Sequence, residues 1–156
     1  MKIKIIALGK IKEKFLKDGI DEFMKRLVPY ASVEIVELSP VEIKDENLIQ
    51  KSLEQEAVKI LENIKPDSYV ITLEILGKQL SSEEFAQKIN EISISGINEI
   101  IFVIGSSCGI AQSVSQRANF KLSISKMTFL HQFARLLLVE QIYRAFKILK
   151  NETYHK

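Results

Sequence analysis

Tryptophan is missing from this sequence, and cysteine, histidine and proline number one, two and three in 156 residues. A single thiol excludes an internal disulfide framework. Cys108, His131 and His155 also lack the spacing of a zinc site, so no metal is expected. No apolar run approaches the ~18 residues of a membrane helix, and the start "MKIKIIALGK" is too short an apolar stretch for a secretory leader. A cytoplasmic protein without membrane attachment is the expectation. Repeats, low-complexity tracts and a second-domain linker are equally missing, which predicts one domain over residues 1–156.

The residues that are present describe an ordinary globular chain, 46% hydrophobic and 27% charged. Its net charge of +2 is unevenly placed. Residues 1–109 hold 14 Lys/Arg against 18 Asp/Glu. Residues 110–156 hold eight basic side chains (Arg117, Lys121, Lys126, Arg135, Arg144, Lys147, Lys150 and Lys156) against Glu140 and Glu152. A basic C-terminal third suggests a side facing a polyanion; an unevenly charged solvated surface is the alternative.

Five short runs rich in Ile and Val predict strands at 3–8, 33–38, 69–75, 100–105 and 120–125. Helical periodicity separates them. One helix places Phe15, Leu16, Ile20, Phe23 and Leu27 on one face, and a second does the same with Leu48, Ile49, Leu53, Ala57, Ile60 and Leu61. Ser81 and Glu84 have capping-box spacing at the head of a third. A short helix follows Gly109, and a long one runs from about His131 to Leu149. The alternation predicts an α/β fold, a mostly parallel sheet with helices on both faces. Ligands of such sheets sit beyond the carboxyl ends of the strands, which selects 73–77, 105–109 and 124–129.

"IGSSCG" (104–109) has neither a dinucleotide fingerprint nor a P-loop ending. It matches Gly-x-Ser-x-Gly, the nucleophile elbow of small serine hydrolases, and only Ser107, Glu140 and His155 preserve the required chain order. The other reading needs no nucleophile: glycines after a strand let a ligand approach the backbone. Cys108 is either a reactive thiol or a small filler. The last helix is apolar nearly all round, so a second subunit or a neighbouring helix must cover it. Arg135 and Arg144 are candidate phosphate clamps, although Glu140 and Arg144 also have the spacing of an intrahelical pair. In the tail "NETYHK", Tyr154 offers stacking, His155 a titratable ring and Lys156 a cation; fraying is the alternative.

The segments "TLEILGKQLSSEEFA" (72–86), "FVIGSSCG" (102–109), "LSISKMTFLHQFARLLLVEQIYRAFKI" (122–148) and the terminal "YHK" together resemble the RlmH family. These are small SPOUT-superfamily methyltransferases that act on a pseudouridine of large-subunit ribosomal RNA. The resemblance spans essentially the whole chain. It implies a C-terminal trefoil knot, a homodimer, and S-adenosylmethionine held in the knotted loops. Position by position, the implied cofactor contacts are Leu73, Gly105, Ile124, Ser125, Lys126, Met127, Thr128 and Phe129. The expected reaction is methylation of pseudouridine N3 on the ribosome. His155 would handle the proton, Tyr154 and Arg144 would assist it, and His131, Arg135 and Lys156 would meet RNA. Two positions depart from the family pattern. Ser106 stands where glycine is usual, and Leu130 where proline usually precedes the histidine. They leave a non-catalytic RNA- or ribosome-binding protein on the same fold as the rival expectation.

Overall fold

Branched aliphatic residues favour pleated, buried strands, and the Ile/Val runs form five of them in the computed structural model, which describes residues 1–156. The strands are β1 (Lys2–Leu8), β2 (Ser32–Leu38), β3 (Tyr69–Gln79), β4 (Glu99–Ile104) and β5 (Phe120–Ser123). All pair in parallel in the order β2-β1-β4-β3-β5. The helices are α1 (Lys14–Leu27), α2 (Ile49–Glu62, preceded by a 3-10 turn at Glu46–Leu48), α3 (Ser82–Ile94), α4 (Gln112–Arg117) and α5 (His131–Leu149).

Successive strand residues point to opposite faces, and here both faces are apolar because both are covered. Ile3, Ile5, Ile71, Ile100 and Phe102 pack beneath α1, α3 and α5. Ile6, Leu8, Val70, Ile101 and Val103 pack beneath α2 and α4. Every residue of β4 is buried. The predicted capping box closes at both ends: Ser81 Oγ accepts from the Glu84 amide, and Glu84 Oε2 accepts from the Ser81 amide.

Three expectations are corrected, and the cover left open for the last helix is seen. Phe15 is 67% exposed, because the buried stripe of α1 runs through Leu16, Ile20 and Leu27 and Phe15 sits about 100° off it. Leu48 lies in the 3-10 turn before α2 and is exposed. Strand β5 ends at Ser123 rather than 125, while β3 continues to Gln79. The apolar girth of α5 is largely covered within the chain, by the sheet and by α1 and α3 on either side. Exposed apolar side chains remain at its N-terminal end, notably Leu130 and Phe133.

Candidate active site

The neighbours β4, β3 and β5 end side by side, so their carboxyl-end loops converge. They line a cleft of about 800 Å³, a size suited to a small organic ligand. The loops are shaped in different ways. Leu73 and Lys78 both stand opposite Leu122 of β5, so residues 74–77 leave the ladder as an excursion at the rim. Gly77 returns the chain so close to β5 that an added Cβ would lie 2.6 Å from the Lys121 carbonyl oxygen. Such irregularities in a ladder commonly re-aim side chains beside sites.

The second wall is the loop between β4 and α4. A Cβ on Gly105 would stand 2.3 Å from the Gly109 carbonyl oxygen, and Gly109 has φ +94°, so both positions require glycine. The Gly109 amide donates to Ser106 O at 2.9 Å and closes the turn. Ser106 is not in the left-handed region. Its hydroxyl donates at 3.0 Å to Glu56, a 3% exposed carboxylate on α2 that also accepts from the Val41 amide. The departure at Ser106 therefore adds an anchor to this loop.

The third wall is the stretch from Ile124 to Leu130. Ser123 Oγ donates to the Ser125 carbonyl, and Ser125 Oγ accepts from the Met127 amide. Hydroxyls thus do for this backbone what a ladder would otherwise do. Leu130 has φ −54°, inside the range proline would impose, so the turn into α5 keeps its shape without the ring.

Of the expected cofactor residues, Leu73, Gly105, Ile124, Ser125, Met127, Thr128 and Phe129 line this cleft; Lys126 is exposed and does not. His131 lines it too, held below the usual imidazole range first by burial and then by the charge of Arg135. Arg135 itself is a correction. It is 2% exposed, paired with Glu37 at 2.6 Å and donating to Gly9 O at 3.1 Å, so its guanidinium faces the protein interior and not an RNA surface.

The expected catalytic side chains come together elsewhere. Arg144 pairs with Glu140 and donates to His155 Nδ1 at 3.2 Å, while His155 Nε2 lies 2.6 Å from Glu83. A guanidinium only donates, so Nδ1 accepts and Nε2 carries the proton toward Glu83. Tyr154 donates to Glu140 at 3.0 Å, with its ring under the Arg144 guanidinium and edge-on to Tyr143. Burial first, then Glu140, raises the Tyr154 phenol. Glu83 is lowered by its own backbone amide and by His155. The tail is therefore docked on α5 rather than frayed. Arg144 follows His131 by 13 positions on α5, roughly 20 Å along the axis. Cleft and cluster are two separate groups within one chain.

The hydrolase arrangement is not assembled. Ser107 lines the cleft, whereas His155 is committed to Arg144 and Glu83. Cys108 lines the cleft half-buried. The basic C-terminal third is also less available than its count suggests. Arg135, Arg144 and Lys147 are paired with carboxylates and Arg117 with carbonyl oxygens, leaving Lys121, Lys126, Lys150 and Lys156 exposed and unpaired. Residues that sequence reasoning passed over are Glu56 and Glu83. Glu74, the cleft's only carboxylate, lies within the selected stretch 73–77; Glu56 carried no signal, since an acid in "LEQEAVKIL" reads as solvated. No group of His, Cys, Asp and Glu is arranged to hold a metal, and no helix is long and apolar enough to cross a membrane.

Comparison with known proteins agrees with this geometry. Residues 1–155 match a family model described as "Predicted SPOUT methyltransferase". A protein of Methanococcus vannielii named "Putative ribosomal RNA large subunit methyltransferase H" is 52% identical over the full length of both chains. One of the same name from Methanococcus maripaludis is 50% identical, again over the full length of both. With a parallel sheet, three converging loops and end-to-end similarity of this kind, the chain belongs to the SPOUT methyltransferase family, alongside the large-subunit methyltransferase H proteins.

Proposed function

We propose that this protein methylates large-subunit ribosomal RNA, at N3 of a pseudouridine on the assembled ribosome, with S-adenosylmethionine as the donor. The reading includes a cytoplasmic homodimer with a C-terminal trefoil knot. The observation that carries it is the cleft, built from the same three strand-end loops in a chain about half identical to relatives named for this RNA. The site fits a flat nucleoside with a short polar chain: glycine-only backbone at Gly105, hydroxyl-tied loops, and apolar walls from Leu73, Ile124 and Phe129. When bound, the cofactor supplies an electrophilic methyl group on a sulfonium, so the acceptor nitrogen needs in-line placement and loss of its proton.

His155 accepts that proton, with Tyr154 positioning the base and Arg144 stabilising the developing negative charge. Since Nε2 already carries a proton toward Glu83, Nδ1 is the accepting nitrogen, and the substrate N–H takes the place of the Arg144 contact there. His131 and Lys156 meet RNA. The roughly 20 Å along α5 between His131 in the cleft and Arg144 in the cluster favours a composite site, the tail of one subunit completing the cleft of the other. The non-catalytic reading loses its support, because Ser106 anchors the loop and Leu130 retains a proline-like φ.

The test is transfer of labelled methyl from S-adenosylmethionine to ribosomes lacking the modification, with naked large-subunit RNA alongside. Label at pseudouridine N3, greater on ribosomes, is expected. Cofactor binding without transfer would reject the substrate. Full activity of His155→Ala would remove that ring from the chemistry.

A further inference from the structure

We infer that Glu74 is the counter-charge of the cleft, its carboxylate reading a positive charge on the bound cofactor. This rests on the S-adenosylmethionine reading above. Glu74 is the first residue of the excursion that breaks the β3–β5 register, and it is the only carboxylate lining the cleft. Two hydroxyls hold it in place. Thr72 Oγ1, on a fully buried residue, donates to Oε2 at 2.5 Å, and Ser115 Oγ of α4 lies 2.9 Å from Oε1 and 3.1 Å from Oε2.

Hydroxyls orient a carboxylate without neutralising it, and two donors leave about half of its acceptor positions open. No lysine, arginine or histidine pairs with Glu74 anywhere in the chain. Glu37, Glu99 and Glu140 each have a cation; Glu56 has none either, but it is buried away from the cleft and takes Ser106 Oγ and the Val41 amide. A half-buried, fixed and unpaired carboxylate in an apolar cleft is costly by itself. It becomes favourable when the ligand brings the missing charge, and a sulfonium with an α-ammonium brings two. A purely structural tie between β3 and α4 would need only the acceptor oxygen, which glutamine also provides.

The experiment is titration calorimetry on the wild type and Glu74→Gln, with S-adenosylmethionine and with 5′-methylthioadenosine, which keeps the nucleoside and sulfur but is uncharged. Glu74→Gln is expected to weaken S-adenosylmethionine about tenfold or more, to leave 5′-methylthioadenosine unchanged, and to melt like the wild type. S-adenosylhomocysteine identifies the charge: equal weakening assigns the ammonium, and unchanged binding assigns the sulfonium. Parallel weakening of 5′-methylthioadenosine, or unchanged S-adenosylmethionine affinity, overturns the inference while leaving the cofactor reading intact. A wild type that binds none of the three overturns both.

Discussion

At the scale of single residues, the site is held by polar groups that face away from the ligand. Ser106 is the clearest case, since its hydroxyl serves a buried carboxylate rather than the cleft. Ser106→Gly restores the family's usual residue but removes a donor from Glu56. It should lower stability by about 1–2 kcal/mol, measured by urea unfolding. His131 gives a second prediction. Its ring protonates near 6.5 when unfolded and lower when folded. The unfolded chain therefore binds more protons in that window, and stability rises with pH there. The contribution is complete above 6.5 and lost as pH falls through the folded value. His131→Gln should narrow the drop in urea midpoint between about pH 7.5 and about pH 5.5 relative to wild type.

At the scale of elements, the long helix from about His131 to Leu149 is legible in the sequence, because nineteen positions of near-continuous apolar character leave little ambiguity. Its surroundings were not legible. Nothing in "FARLLLVEQ" says that Arg135 turns inward to Glu37, 98 positions away, because the partner is contributed by a strand whose place in the sheet is not local information. The order β2-β1-β4-β3-β5 was hidden for the same reason. The sequence ends the strand near 75 and places a loop at 73–77; that the chain rejoins β5 at Lys78 and continues to Gln79 is seen only in the pairing. The head of α5 carries its own prediction. Leu130 has a proline-compatible φ, and its amide donates to no group in the chain. Leu130→Pro should therefore stabilise the protein by about 0.4–1 kcal/mol, seen as a higher melting temperature with the cleft intact.

At the scale of the whole molecule, the chain gathers its chemistry into two places on one helix, and the proposed dimer reunites them. Mixing provides the check. Gly105→Ala crowds the cleft, and His155→Ala removes the tail ring. Each alone should be inactive on ribosomes, yet subunit exchange between them should restore part of the activity, because one of the two sites in a mixed dimer has both native halves. No recovery despite demonstrated exchange would place the entire reaction within a single chain. Either result is read from the same methyl-transfer assay.

The rigidity of α5 then acquires a metrical meaning. Nineteen residues at about 1.5 Å each make a rod of roughly 28 Å, and the proposed assembly uses that rod as a ruler between donor and acceptor halves. A ruler wound as a screw has phase as well as length. One alanine inserted midway would displace the tail by only about 1.5 Å but swing it through about 100°, whereas four would come nearly back into phase one turn farther on. Helix length and helix phase are then separate quantities, and the second is held the more tightly of the two.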